Sequence, residues 1–427
     1  MPREAGVERN DVRVTHVVFD LQGGGMESLV AAMAARFAGT RVRMSVISLS
    51  GRVGRVGETV QPLLDQFYAF KPRPKLSMIA PLGLAQYIRR TRPDVVHLHT
   101  GSWYQGALAA RLAAAPLVIY TEHGREHHDP WLLRWLDRRA ARWTDVVVTV
   151  SERLREYMTA KLGVGPDRLC TIENGVDTMR FSPAAFPIEL RHALKVPTNA
   201  LVIGSVGRLT PVKAYARLVE SFARVRAAWS ANDSRPLYLL ICGDGIERPS
   251  LMTLAERLGL SEVARFPGWV DDPVPFYGLL DVFAMTSTSE GFPVSLLEAM
   301  ACGAAPVATA VGAIGDILGG ELAEQLVPPG NPEALERTLI RTLASSEHHR
   351  RIATLARQRV VERFSLERLI AAYERLYRSG ARPVRARRDP KSQVDPATLA
   401  QPGPPQRDRA MLTETWRRPH LRTQHAL

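Results

Sequence analysis

Apolar runs of four to eight residues alternate with amphipathic stretches over most of the chain. Val14 to Phe19, Val42 to Leu49, Pro93 to His99, Leu117 to Thr121, Asp145 to Val150 and Leu169 to Ile172 are too short for core helices and are bounded by turn residues, so they read as buried strands. Between them, Leu29, Val30, Met33 and Phe37 fall at helical spacing, and helices are expected from Leu76 to Arg90 and from Trp131 to Trp143. Ser151 is placed to cap a helix from Glu152 to Leu162. Gly51 to Pro74 shows neither period and reads as a basic loop. A second set of strands opens at Ala200 to Val206 and continues at Leu237 to Cys242 and Asp281 to Met285, repeating the order of the first. Three helical patterns follow: Pro332 to Leu343, Glu347 to Val361 and Leu366 to Arg378.

This repetition implies an α/β protein of two doubly wound domains facing across a cleft. The expected divisions are a flexible start (1–11), a first domain (12–180), a linker (181–199), a second domain (200–365), a terminal helix (366–380) and a tail (381–427). The tail is rich in Pro, Arg, Gln and Thr with little apolar content, so it is expected to be disordered.

Composition narrows the setting. Of the 427 residues 45% are hydrophobic, as expected for a soluble globular protein, and no run approaches the ~18 apolar residues that span a bilayer. The start Met1-Pro2-Arg3-Glu4 is not that of a signal peptide, so the expected location is the cytoplasm. Cys170, Cys242 and Cys302 are too few and too far apart for a disulfide framework or a CxxC metal site, and read as small apolar residues. The net charge of +13 is concentrated in two places: twelve basic against three acidic residues from Arg36 to Arg111, and eleven against four from Arg378 to Leu427. Such regions attract phosphates, anionic lipid or nucleic acid, and charge alone does not choose among them.

The most informative stretch runs from Ser289 to Ala304. Gly291-Phe292-Pro293 is a turn and Val294 to Ala301 is rich in helix formers, which puts Glu290 in a loop and Glu298 within a helix. Unpaired amides at the helix start then lie close to two carboxylates, the combination a sugar nucleotide demands. The bland alternative is one Glu complementing a helix dipole and one surface Glu. Earlier, the first strand runs into Gly23-Gly24-Gly25-Met26-Glu27, a glycine loop before a helix that is neither a GxGxxG nor a Walker loop. Gly207-Arg208-Leu209-Thr210-Pro211-Val212-Lys213 opens the second domain; Arg208 can fork onto two phosphate oxygens and Lys213 adds a mobile charge. His97 and His99 share one face of a strand, but no third ligand is evident, so packing or hydrogen bonding is preferred to a metal pair. His123 follows a strand end and falls at the cleft mouth. The Trp131 to Trp143 helix carries Trp, Leu and Arg, and can either touch a membrane or pack on the sheet.

Glu290 and Glu298, eight apart, with Glu-Ala-Met-Ala-x-Gly and then Pro306-Val307, resemble the donor-binding signature of the retaining glycosyltransferases of family four, which have the GT-B fold. Gly24-Gly25-Met26-Glu27, His123-Gly124, Asn174-Gly175-Val176-Asp177, Gly207-Arg208 with Lys213, and Gly243-Asp244-Gly245 match further motifs in order, so the resemblance spans residues 14–378. It implies two Rossmann-like domains, the first on the acceptor side and the second binding the nucleotide sugar, with the last helix crossing back to the first. The implied reaction moves a sugar, with retention, from a nucleotide-diphosphate sugar to a hydroxyl of a glycan or lipid-linked acceptor, in cell-surface polysaccharide synthesis. By the same resemblance Arg208 and Lys213 meet the diphosphate, Glu298 the ribose, and Glu290 and His123 the transferred sugar. Gly24, Gly25, Gly243, Gly245, Phe292, Pro293 and Val294 line the donor site, and Trp269 and Val270 lie beside the base. The nucleotide sugar is a substrate and no cofactor is expected; no Asp-x-Asp occurs, so no metal is expected either. Ala214, Ala313 and Asp316 depart from the family's Gly, Gly and Glu. The basic first half suits a phosphate-bearing acceptor, or docking at the anionic inner face of the plasma membrane, rather than nucleic acid. A nucleotide-sugar epimerase of the same fold and a non-enzymatic basic binding protein are the competing readings.

Overall fold

The computed structural model describes residues 11–70, 80–124, 130–183, 187–230 and 233–380. The expected flexible start, but for residue 11, and the basic tail lie outside these, as do Lys71, Arg73 and Lys75 of the basic loop and the His127–His128 pair. The first sheet has seven parallel strands: β1 (Val12–Val18), β2 (Val42–Ser48), β3 (Gln66–Ala69), β4 (Val95–His99), β5 (Leu117–Glu122), β6 (Val146–Thr149) and β7 (Leu169–Thr171), in the order β3-β2-β1-β4-β5-β6-β7. The second has six: β8 (Leu201–Val206), β9 (Leu237–Cys242), β10 (Ala264–Gly268), β11 (Val282–Met285), β12 (Ala305–Thr309) and β13 (Leu326–Val327), also parallel, in the order β10-β9-β8-β11-β12-β13. Helices cover both faces of each sheet, which is why β4 and β12 are buried along their whole length and their sequences do not alternate.

Strand order reverses between β1 and β4 in the first sheet and between β8 and β11 in the second. Ligands of wound sheets bind beyond the strand ends at these switch points. The loops leaving β1 and β8 there are the glycine loop and the Arg208 loop.

The terminal helix Leu366–Gly380 packs on the first domain: Leu369, Tyr373, Leu376 and Tyr377 share a core with Val14, Met33 and Phe37. Ser151 caps the helix Glu152–Leu162, its side chain accepting from the Leu154 amide. Two expectations fail locally. The basic loop contains the helix Gly54–Val60 and β3; β3 is an edge strand paired only to β2 and half-exposed, so it carries no strong apolar signal. The linker contains the helix Ile188–Ala193, tied down by a buried arginine rather than an apolar stripe: Arg191 donates to the carbonyls of Pro197 and Ala200. No helix among the described residues is long and apolar enough to cross a membrane.

Candidate active site

The helix Val294–Ala301 starts just after Pro293 with no side-chain cap, leaving its first amides open. Glu298, one turn in, accepts from the hydroxyl of the fully buried Tyr277 at 2.7 Å, and burial pushes its carboxyl up to about 7. Phe292 and Val294 turn their side chains inward. Phe292 meets Phe364 edge-on at 5.5 Å and its carbonyl accepts from Asn174 Nδ2 at 3.0 Å, so its ring packs in the core. Val294 is buried facing Gly25 of the other domain. What these two positions leave for a ligand is backbone.

Glu290 does not stand apart from Lys213. Their Oε1 and Nζ are 2.6 Å apart, and Ser287 Oγ donates to the same oxygen at 2.6 Å. The Lys213 turn is held by Thr286, whose hydroxyl donates to the carbonyls of Lys213 and Ala214. Ala214 adopts a left-handed backbone, φ 48° and ψ 43°, a conformation that favours glycine. Arg208 is exposed and its charge favours ionisation of Glu27, across the cleft at the start of the helix Gly25–Phe37; burial works the other way and raises the Glu27 carboxyl overall. Glu27 closes the glycine motif and is half-buried, with its carboxylate folded back beside Gly24.

Gly243 and Gly245 press on protein. A Cβ at Gly243 would lie 1.9 Å from the Gly207 carbonyl oxygen, and one at Gly245 2.3 Å from that of Leu209. Their place in the site is to let the Arg208 loop lie flat against them. Gly291 is wedged between the domains: a Cβ there would be 1.8 Å from the His123 carbonyl oxygen. Trp269 crosses the cleft to Gly23, where a Cβ would stand 2.7 Å from its ring, while its Nε1 donates to Asp271. Val270 is half-buried against the second core.

His123 is the end of a buried chain that sequence reasoning missed. Its Nε2 is 2.9 Å from His99 Nδ1; His99 Nε2 is 2.9 Å from His16 Nδ1; His16 Nε2 is 3.4 Å from Tyr377 Oη, which is 2.8 Å from His97 Nδ1; and His97 Nε2 is 2.7 Å from Thr121 Oγ1. A neutral imidazole donates at one nitrogen and accepts at the other, so each ring dictates the tautomer of the next. Burial holds His16 down to about 3 and His123 to about 4, and His97 and His99 well below the ordinary histidine value. His123 Nδ1 is shielded and meets no protein partner. The expectation that His97 and His99 lack a third neighbour is corrected: β1 brings in His16, and one nitrogen of each lies within 4.8 Å of the others. Both nitrogens of His97 and His99 already bond to protein, and the two rings stack at 4.3 Å instead of converging on a point, so the cluster is a hydrogen-bonded relay. A zinc ion needs converging lone pairs about 2.0–2.1 Å from its centre.

Two parallel wound domains, a helix returning from the second to the first, and facing loops at both switch points define a GT-B architecture. Comparison with known proteins agrees. Residues 23–180 match Glycosyltransferase Family 4 and residues 188–359 match Glycosyl transferases group 1. The chain is 30% identical over 309 residues to the D-inositol 3-phosphate glycosyltransferase of Corynebacterium urealyticum, covering 67% of this chain and 71% of that protein. It is 35% identical over 223 residues to the protein of that name from Saccharomonospora viridis, half of each chain. It is 30% identical over 237 residues to the UDP-Gal:alpha-D-GlcNAc-diphosphoundecaprenol alpha-1,3-galactosyltransferase of Escherichia coli, covering 52% of this chain and 59% of that one. The chain thus spans about half the length of several curated relatives it matches. Among solved structures, Anabaena Alr3699/HepE in complex with UDP and glucose superposes with a TM-score of 0.73 at 21% identity, over 86% of this chain and 100% of that one. The chain belongs to the group 1 glycosyltransferases of family 4.

Proposed function

We propose that the protein is a retaining glycosyltransferase that takes a sugar from a nucleotide-diphosphate sugar to a hydroxyl of a glycan or lipid-linked acceptor in cell-surface polysaccharide synthesis. The observation that carries this is the clustering on one loop and helix of Glu290, ion-paired to Lys213, and Glu298, buried on Tyr277, with open helix amides between them. The ribose hydroxyls donate to Glu298. The diphosphate lies between Arg208, Lys213 and the glycine loop, and the transferred sugar meets Glu290 and the unpartnered Nδ1 of His123. In the reaction the bond from the anomeric carbon to the phosphate oxygen breaks with its electrons passing to the diphosphate, whose growing charge Arg208 and Lys213 stabilise. The acceptor oxygen bonds the anomeric carbon on the same face, and its proton passes to the departing phosphate, so no protein base is needed. No bound metal takes part, and activity should survive EDTA.

Relatives named for diphosphoundecaprenol and inositol phosphate acceptors support an acceptor bearing phosphate, as does the basic first domain. Arg55 is one such basic residue, although it pairs with Asp271 at 3.4 Å. The test is thermal shift with UDP, GDP and ADP, since a ligand of the native state raises the melting temperature. One nucleotide should stabilise the protein, and Arg208→Ala, Lys213→Ala and Glu298→Ala should each reduce the shift. No response to any nucleotide would overturn the proposal.

A further inference from the structure

The hydrogen-bonded chain behind His123 has two ends of different kinds. One is His123 itself, which is only partly buried and lies at the cleft. The other is Tyr373 on the terminal helix. Tyr373 is buried, and its hydroxyl meets Thr121 Oγ1 at 3.0 Å and no other hydrogen-bonding group among the described residues. Between the ends run Thr121, His97, Tyr377, His16 and His99, all buried and each bonded to the next. Burial keeps the four rings neutral, so none can donate from both nitrogens.

Protons can be laid along such a chain in two directions, because each hydroxyl and each neutral imidazole donates once and accepts once. If every donor points away from the cleft, His97 donates to Thr121, Thr121 to Tyr373, and the Tyr373 O–H is left in the interior with no acceptor. A buried hydroxyl stripped of its acceptor disfavours that arrangement by at least about fivefold. If every donor points toward the cleft, Tyr373 donates to Thr121 and Thr121 to His97 Nε2. His97 Nδ1 then donates to Tyr377, Tyr377 to His16 Nε2, His16 Nδ1 to His99 Nε2, and His99 Nδ1 to His123 Nε2. The last proton stands on His123 Nδ1, at the cleft end, where a ligand or water can accept it. The longest link, 3.4 Å from Tyr377 to His16, does not relax this order. Because His97 donates to Tyr377, the Tyr377 proton has only His16 Nε2 to go to.

We propose that Tyr373, Thr121 and Tyr377 are positioning residues that fix His123 as an Nδ1–H donor, so that the atom of the transferred sugar meeting it must accept a hydrogen bond. A hydroxyl, carbonyl or carboxylate oxygen qualifies there, and an ammonium group is rejected. The contact with a sugar rests on the transferase reading. The direction of the chain does not, and it can be measured without any ligand.

The experiment is nitrogen–proton correlation spectroscopy of the full chain carrying isotope-labelled histidine, at pH 7 without ligand, which distinguishes the protonated ring nitrogen from the bare one. His123→Gln identifies the His123 signals by their loss. His16, His97, His99 and His123 should all carry the proton at Nδ1, the less common form of a free imidazole side chain. A proton at Nε2 of His16, His99 or His123 would overturn the proposal. Tyr377→Phe supplies a second measurement. Without that hydroxyl His97 faces one unmet proton in either direction, so it should become a mixture of both forms, while His16, His99 and His123 keep Nδ1 protonated. A change of form at His123 in this variant would refute the order given above. UDP-glucose is the probe for the sugar contact: on binding it should move the His123 Nδ1 signal and leave the proton on Nδ1, and transfer of the proton to Nε2 would again overturn the proposal. No response to any nucleotide, with four protons at Nδ1, would sink the transferase reading and leave His123 a donor.

Discussion

Glu298→Gln separates the resting state of the site from its liganded one. Burial raises the Glu298 carboxyl to about 7, from 4.5 in an exposed setting. Between these pH values the folded protein holds a proton that the unfolded chain has released. Stability therefore falls as pH rises through that window, and the whole cost is present above pH 7. The difference corresponds to a ceiling of about 3 kcal/mol, and solvent at this part-buried group brings the working figure to roughly 1–2 kcal/mol. Glutamine has nearly the same shape, its carbonyl can still accept from Tyr277, and it carries no charge. In the absence of ligand the variant should melt a few degrees higher than the parent at pH 8, on the order of 2 °C per kcal/mol, and at the same temperature at pH 5. Its response to the stabilising nucleotide at pH 8 should shrink, because hydroxyls donating to a charged acceptor contribute about 1.5–3 kcal/mol. Scanning fluorimetry at both pH values reads all of this. A variant destabilised equally at pH 5 and pH 8 would refute the reasoning, since it would mean that the resting carboxylate is ionised and held by a partner.

Ala214→Gly should stabilise the protein by roughly 0.5–1 kcal/mol, because the left-handed backbone costs an L-residue about 1–2 kcal/mol and glycine returns part of that as flexibility of the unfolded chain; a lower denaturant midpoint for the variant would show the turn is unstrained. Lowered histidine values mean that the fold keeps His16 and His123 neutral while the unfolded chain protonates below about pH 6.5, so their contribution is intact above that pH and is lost as pH falls toward 4. In the Glu298→Gln variant, which lacks the opposing titration of that carboxyl, melting temperature should decline from pH 7 to pH 5; a flat profile there would contradict the relay.

Parallel strands buried on both faces write themselves as short apolar runs, and that is why β1, β4, β8 and β9 were legible within two residues of their ends. β3 was not, since an edge strand half open to water has no such run. Among the candidate site residues, Arg208, Lys213, Glu290 and Glu298 were visible as charges flanked by turns. Their pairing was not: Lys213 and Glu290 are 77 positions apart and meet only because β8 and β11 are neighbours. The histidine relay was hidden for the same reason. His16, His99 and Tyr377 come from β1, β4 and the terminal helix, and a sequence shows such residues singly.

The two alanines that replace motif glycines show which glycines the site needs. Ala313 has an ordinary backbone, φ −84° and ψ 1°, is fully buried, and still donates its amide to the Gly291 carbonyl at 3.1 Å. Ala214 holds its turn at a cost in strain but with Thr286 bonded to its carbonyl. Gly243, Gly291 and Gly312 are different, because a Cβ at any of them would lie 1.8–1.9 Å from a carbonyl oxygen of a neighbouring segment. Those contacts fix the Arg208 loop to β9, the Glu290 loop to His123, and the Glu290 loop to the turn after β12. Backbone packed on backbone cannot yield as a side chain can, so the glycines retained are those that set the positions of Arg208, Glu290 and His123. The departures at 214 and 313 therefore leave these backbone contacts of the cleft in place.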